Sequence, residues 1–330
     1  MDSKFFNRLR LFYNYGKYEK TYNMPIEVFL EPTNYCNIHC TMCPNDRLSR
    51  QKGFMDYDIF RNIIKQIKQY SEVVTLHALG EPMMHPRIFE MIEYCKENGL
   101  VVMLSTNATL LTVEKAKMFI RSGVDYLTFA LDAATKETYE RIRKGAKYEK
   151  VLKNIENFMI EKKKTKSNVF VALQLVALEE NKEEINDFIR QWKGNKQVNI
   201  IRIKPEANIT SGELKDNVPS TPCIQVWRNL NINCDGSVVP CCFDNDNKYV
   251  MGNVAEQSIN DIWNSQRFRD FRKKQSMREI DICYRCDFGQ PNKLSLLAIT
   301  LLNGRRVKQI LPIIEKIAMK SEILRRSFYR

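Results

Sequence analysis

Between residues 26 and 203 short apolar segments alternate with amphipathic ones six times, and this alternation restricts the fold more than any other property of the chain. The apolar segments, over 26–30, 73–79, 100–104, 124–131, 169–178 and 198–203, read as strands. Ile59, Phe60, Ile63, Ile64 and Ile67 recur at helical spacing, and helices over 86–98, 112–122 and 182–193 each stop at a glycine: Gly99, Gly123 and Gly194. A further helical stretch covers 135–164. Six such units imply parallel strands with covering helices, an α/β sheet curled into a partial (β/α)6 TIM-like barrel. The turn-rich stretch from Pro205 through Asn208, Ser211, Gly212, Pro219 and Pro222 closes that unit. The chain then divides into an N-terminal segment (1–24), the barrel (25–205), a small cysteine-rich module (206–292) and a basic, amphipathic helical tail (293–330). In the module, strands over 230–234 and 237–239 around Asp235-Gly236 predict a hairpin with a type I′ turn, and a helical stretch follows over 258–274.

The ten cysteines fall in two groups, at 36–43 and 223–286, with only Cys95 outside them, which favours metal sites over a disulfide framework. Cys95 shares helical spacing with Ile88, Met91 and Ile92 and reads as core. Cys36, Cys40 and Cys43 follow the first strand directly as C-x3-C-x2-C. Three thiolates hold a four-iron cluster and leave one iron without a protein ligand, whereas structural zinc needs a fourth ligand, here His39 or a distant residue. Barrel strands carry chemistry at their C-terminal ends. Those ends hold Gly80-Glu81-Pro82, Ser105-Thr106-Asn107 and Asp132, a polar ligand site with the cysteine loop at its rim. Gly80 permits close backbone approach, and Glu81 offers a carboxylate to an ammonium group. His77 and His85 flank that turn and either touch a ligand or pack. In the second group, Cys283-x2-Cys286 with two upstream cysteines suits an iron-sulfur cluster or a four-cysteine zinc site equally on spacing alone.

The net charge of +13 calls for an anionic partner, but nine Lys or Arg against Glu315 and Glu322 in residues 293–330 supply seven of those charges. With its apolar residues the tail reads either as a helix docked on the enzyme or as a contact with an anionic membrane surface. No nucleic-acid motif accompanies the charge, so nucleic acid is not expected. The longest apolar-rich run, 294–302, is far shorter than the ~20 residues a membrane span needs. The first twenty residues do not read as a signal peptide, and a cytoplasmic location follows, peripheral at the inner membrane face if the tail binds lipid.

With Glu31-Pro32-Thr33-Asn34-Tyr35-Cys36-Asn37 and Met42-Cys43-Pro44 around the cysteines, and the strand-end motifs beyond, residues 25–290 resemble the radical SAM superfamily. The resemblance implies an enzyme whose 4Fe-4S cluster, on Cys36, Cys40 and Cys43, binds S-adenosylmethionine and cleaves it to a 5′-deoxyadenosyl radical. It gives Gly80, Glu81 and Pro82 to the methionine ammonium, and Ser105, Asn107 and Asp132 to the polar cofactor site. Arg143 resembles an arginine that pairs with the cofactor carboxylate through its planar fork. Ala130 and Met42 depart from the commoner serine and aromatic residue. From Pro222-Cys223 through Trp227, Val239-Pro240-Cys241-Cys242, Gly252-Asn253-Val254 and Ile262-Trp263-Asn264 to Cys283-x2-Cys286, the second group resembles a SPASM or shortened twitch module. Its six cysteines imply one auxiliary 4Fe-4S cluster, on Cys223, Cys241, Cys283 and Cys286. Cys234 then packs in the hairpin, and Cys242 is a substitute ligand, inert, or a hydrogen donor.

The expected activity is an oxidoreductase of the dehydrogenase type. It would take hydrogen from a small sugar-like or cyclitol-like substrate, lipid-linked if the tail binds membrane, and pass an electron to the auxiliary cluster. Asp244 is the nearest carboxylate for the accompanying proton, and an external reductase such as flavodoxin or ferredoxin would feed the first cluster. Three other readings stay open: an epimerase using Cys242, a peptide maturase, and a zinc or electron-transfer scaffold.

Overall fold

A computed structural model describes residues 3–17, 21, 23–206, 222–284 and 286. The tail at 293–330 and most of the 206–222 boundary lie outside the described residues. Helix α1 (Ser3–Asn14) opens the chain. The strands are β1 (Glu27–Leu30), β2 (His39–Cys40), β3 (Val73–Thr75), β4 (Val101–Thr106), β5 (Tyr126–Ala130), β6 (Arg143–Lys144), β7 (Phe170–Ala177), β8 (Ile200–Pro205), β9 (Asn229–Ile232), β10 (Ser237–Val239) and β11 (Gly252–Asn253). Between them run α2 (Tyr57–Ile67), α3 (Ile88–Glu97), α4 (Val113–Ser122), α5 (Lys136–Ile142), α6 (Tyr148–Lys164), α7 (Ile185–Trp192), α8 (Gln225–Arg228), α9 (Ile259–Trp263), α10 (Gln266–Ser276) and α11 (Asp281–Tyr284).

β1, β3, β4, β5, β7 and β8 lie parallel and in chain order, so every crossover runs the same way and the sheet curls into the partial barrel. One face carries Val28, Val74, Val102, Leu127 and Val171, which pack against Phe60, Met91, Phe119, Ile155 and Phe188 of the helices. The alternate positions, Val73, Val101, Tyr126, Phe170, Ala172 and Ile200, form a second, smaller core on the opposite face. That core plugs the inner face near the strand N-termini and leaves the C-terminal ends open to polar groups.

The cysteine-rich module continues the same sheet. β9 pairs parallel with β1, and β10 and β11 add antiparallel to it, giving the order β11-β10-β9-β1-β3-β4-β5-β7-β8. Trp227 and Trp263 are fully buried, and their indole N–H groups donate to the carbonyls of Lys17 and Asn23, tying the module to the N-terminal segment.

Three local expectations change. The hairpin forms, but only Gly236 of its loop has positive φ (+84°), and the Gly236 N–H donates to the Asn233 carbonyl. This is a type I turn closed by a bulge at Gly236; a type I′ turn needs two positive φ values. The 135–164 stretch breaks at Arg143 and Lys144, which leave the helix to pair with His39 and Cys40. The 258–274 stretch divides at Ser265, whose hydroxyl accepts from the Phe268 N–H and starts a new helix.

Candidate active site

The loop after β1 gathers Cys36, Cys40 and Cys43 as free, half-buried thiols within electrostatic reach of one another. Burial pushes all three thiols up, Cys40 to about 12, so binding a metal there must displace their protons. The loop is built by short polar residues. Thr33 donates to the Gly53 carbonyl (2.7 Å), while Asn34 accepts from the Gly53 N–H (2.7 Å) and donates to the Gln51 carbonyl (3.0 Å). Gly80 explains its own position: at φ +88° a Cβ would sit 2.4 Å from the Thr33 carbonyl oxygen and 2.7 Å from that of Tyr35. The Glu81 N–H donates to the same Tyr35 carbonyl (2.8 Å), so this turn clamps the cysteine loop from below.

The Glu81 carboxylate is buried and accepts from Thr106 Oγ1 (2.7 Å), the Asn107 N–H (2.8 Å) and the Met83 N–H (3.1 Å). One of its four acceptor positions is left over for a ligand. Asn107 stands beside the cysteines, its amide nitrogen 3.2 Å from Asn37 Oδ1 and 3.9 Å from Cys36 Sγ. Ser105 lies one register step deeper, its backbone N–H donating to His77 Nδ1 (3.1 Å). Pro82 starts a short 3-10 turn and is buried.

Asp132 corrects the sequence reading, which assigned it to the ligand. It has no exposed surface: Oδ2 accepts from Arg143 Nε (3.0 Å) and Nη2 (2.5 Å), and Oδ1 accepts from the Val176 N–H (2.7 Å). Arg143 is committed to the same pair, so its fork is turned to Asp132 and not to a free carboxylate. What it offers the site is charge. It lies beside Cys40 across the β2–β6 pairing, and its guanidinium favours the thiolate form of Cys40 and Cys43.

The second cysteine set is assembled from three segments. Cys223, Cys283 and Cys286 lie within electrostatic reach of one another, and Cys241 of Cys223. Burial pushes Cys223 and Cys283 up to about 12. A chain of contacts holds the segments together: Asp244 accepts from the N–H groups of Lys248 and Tyr249 (both 2.8 Å), and the side chains of those two residues reach Asp281. Asp281 begins α11, which carries Cys283. Burial raises the Asp244 pKa, and each of its oxygens keeps an acceptor position after its amide bond. Cys234 is buried in the hairpin. Cys242 is exposed, and its pKa is lowered by a hydrogen bond with Cys241 and by the Lys204 ammonium.

Glu31 and Arg50 are a pair that sequence inspection did not single out. Arg50 donates twice to the Glu31 carboxylate (2.6 and 2.6 Å) and through Nε to the Asn245 carbonyl (2.7 Å), while the Cys234 N–H donates to Glu31 (3.2 Å). The Ser49 N–H also donates to Asp246 (2.8 Å), so the first cysteine loop is bonded to the loop that follows Cys241 and Cys242. The only sequence signal was Glu31 at the strand end; nothing paired it with Arg50. Phe29, Glu31 and Arg50 line one side of a narrow cleft, with Asn231, Asn233, Cys241, Cys242 and Asp244 on the other.

The radical SAM superfamily profile matches residues 30–191, and an iron-sulfur cluster-binding SPASM profile matches 223–287. The chain belongs to the radical SAM superfamily. This radical SAM enzyme is 27% identical over 297 residues, 74% of its chain and 82% of the relative, to the tungsten-containing aldehyde ferredoxin oxidoreductase cofactor-modifying protein of Pyrococcus furiosus. It is 26% identical, over 82% of its chain and 94% of the relative, to an S-adenosyl-L-methionine-dependent 2-deoxy-scyllo-inosamine dehydrogenase of Niallia circulans. Its fold matches the crystal structure of BtrN in complex with AdoMet and 2-DOIA at a TM-score of 0.55 and 20% identity, over 80% of this chain and 94% of that one.

The family's S-adenosylmethionine, its 4Fe-4S cluster and auxiliary iron-sulfur chemistry are met by donors of the right kind. Two sets of free thiols converge, one beside a buried arginine and over a glycine clamp. Among the described residues no three His, Cys, Asp or Glu side chains stand at single-ion spacing. No helix among the described residues is long and apolar enough to cross a membrane.

Proposed function

We propose that this enzyme is a dehydrogenase of a small, hydroxyl-bearing or aminated substrate of the sugar or cyclitol type. The observation that carries the reading is the cleft between the cysteine sets, walled by Asn231 of β9 and Asn233 just beyond it, and by Cys242 and Asp244 on the loop after β10. Carboxamides both donate and accept, which suits neighbouring hydroxyl and amino groups. When bound, S-adenosylmethionine on the first cluster supplies a hydrogen-abstracting 5′-deoxyadenosyl radical, and the auxiliary cluster supplies an electron acceptor. The chain's own residues do the rest. Cys36, Cys40 and Cys43 would hold the first cluster, with Glu81 and Asn107 positioning the cofactor. Arg143 would favour the thiolates, and Cys223, Cys241, Cys283 and Cys286 would hold the second cluster. Asp244, its pKa raised by burial, would take the hydroxyl proton as the carbon loses one hydrogen atom and one electron, leaving a carbonyl. An external flavodoxin or ferredoxin, met in a reducing cytoplasm, would deliver the first electron.

Anaerobic reconstitution tests this. The reading expects both thiol sets to load iron and one 5′-deoxyadenosine to form per oxidised product from an aminocyclitol. Deoxyadenosine release that no cyclitol or sugar converts to product would sink it. A second reading, epimerisation, is favoured by one feature: Cys242 is exposed and lines the cleft, where its S–H bond could return a hydrogen atom to a substrate carbon radical. Solvent deuterium at a carbon of recovered substrate, lost in Cys242→Ala, would select it over dehydrogenation.

A further inference from the structure

Above the apolar plug, the inner face of the barrel turns cationic on one side. On β8, Ile200 belongs to the plug, so Arg202 and Lys204, two and four residues on, project from the same face. They pair in register with Gln174 and Val176 of β7. His77, two residues beyond Thr75, completes the group and feels the charge of both cations. Among the described residues neither Arg202 nor Lys204 makes a hydrogen bond or an ion pair, although the enzyme's other inner-face charges are matched. Glu27 is held by Arg228 (2.9 Å) and Thr75 (2.9 Å), and Asp132 by Arg143.

The histidine adds a directional donor. Its Nδ1 accepts the Ser105 N–H (3.1 Å), and burial with the two neighbouring cations pushes its pKa down to about 3, so the ring is neutral. With Nδ1 accepting, the ring proton sits on Nε2 and points away from β4. Lys204 keeps accessible surface in the mouth yet is walled in by protein, which with Arg202 pushes its pKa down to about 8. The groups facing it are Arg202, His77, the Cys242 thiol and the already paired Asp132. Two cations and a neutral N–H donor, with no hydrogen bond or ion pair to either cation among the described residues, are costly to assemble without an anion to receive them.

We propose that Arg202, Lys204 and His77 form a subsite for an anionic group of the substrate, a carboxylate or a phosphate. The inference rests on the reading that substrate enters this barrel mouth, and it narrows the substrate from any polyol or amine to one carrying a negative group. Arg202 would receive the anion through its fork, Lys204 as a point charge and His77 through Nε2–H. The reacting carbon would then be set by the anion's anchor on β8 and by the cleft beside Cys242.

Binding can be read without turnover, on the cluster-reconstituted chain loaded with S-adenosylmethionine, by calorimetric titration with inorganic phosphate and separately with acetate. Saturable binding of either is expected, and the anion that binds names the class. Arg202→Gln should weaken it roughly tenfold or more, the scale of one charge-assisted hydrogen bond, while Arg202→Lys and Lys204→Met weaken it less. S-adenosylmethionine affinity should hold within about twofold in all three. Failure of both anions to bind, or equal binding by Arg202→Gln and Lys204→Met, overturns the subsite. A parallel fall in S-adenosylmethionine affinity also overturns it, because the cations would then serve the cofactor's own carboxylate. Anion binding without any oxidised product would leave the subsite standing and remove the dehydrogenase reading instead.

Discussion

The two cysteine sets solve one problem in opposite ways. The first is closed within eight residues and braced from beneath by Gly80, Glu81 and the buried Arg143–Asp132 pair, so its geometry is a property of one loop on one strand end. The second joins residues 223, 241, 283 and 286, and its segments are held by exposed contacts such as Lys248 and Tyr249 on Asp281. A site that must present an open coordination position gains from rigidity, since orientation of a bound cofactor is what such a site supplies. A site whose four ligands are all protein thiolates is closed by the cluster itself, and binding free energy there is folding free energy. On the proposed ligand sets, the first would be preorganised by the protein and the second by its metal.

Substituting one ligand in each set should break the comparison most sharply. Cys40→Ala is expected to end reductive cleavage of S-adenosylmethionine, measured as 5′-deoxyadenosine. Cys283→Ala should keep that cleavage while losing auxiliary iron and product. Cleavage lost equally in both would mean that the two sets do not act separately.

The braces come next. Arg143→Met leaves the fully buried Asp132 carboxylate without its partner, and removal of one member of such a pair costs about 3–5 kcal/mol. Asp281→Asn removes an exposed contact, and pairs of that kind contribute about 0–1 kcal/mol. Denaturant unfolding of the iron-free chain should show this contrast; equal losses would refute it. Gly80→Ala sits below Arg143→Met in expected effect. A left-handed residue with a side chain costs about 1–3 kcal/mol, and the Cβ overlap with Thr33 and Tyr35 should shift the first loop. Iron analysis should find the first set depleted and the auxiliary set intact.

How much of this was readable beforehand follows from which interactions are local. The six parallel strands and the positions of Gly80, Glu81, Ser105 and Asn107 follow from period-two and helical spacing, which short segments carry in themselves. Asp132 misled because a strand-end aspartate looks the same whether it faces a ligand or an arginine eleven residues on. The break at Arg143 was hidden because its cause, pairing with His39 and Cys40, lies about a hundred residues away. The hairpin turn type turned on the φ of Asp235, which no residue letter reports. Glu31 and Arg50 were invisible as a pair because only the folded loop brings them together.

That pair offers the finest test of the comparison, because it is where the preorganised loop touches the metal-organised one. Arg50 spends two N–H groups on Glu31 and a third on the Asn245 carbonyl, so its planar fork sets the spacing between the first cysteine loop and the wall that carries Cys242 and Asp244. Arg50→Lys keeps the charge beside Glu31 but cannot span both partners, a loss of about 1–3 kcal/mol confined to the contact between loops. Neither cysteine set loses a ligand, so iron content and the yield of 5′-deoxyadenosine should stay at the wild-type level. What should change is coupling: more 5′-deoxyadenosine per oxidised product, as the substrate sits less well between the first loop and the cleft. An unchanged ratio in Arg50→Lys would show that the two regions are aligned by the shared β1–β9 sheet alone, and that the bridge between their loops only stabilises the fold.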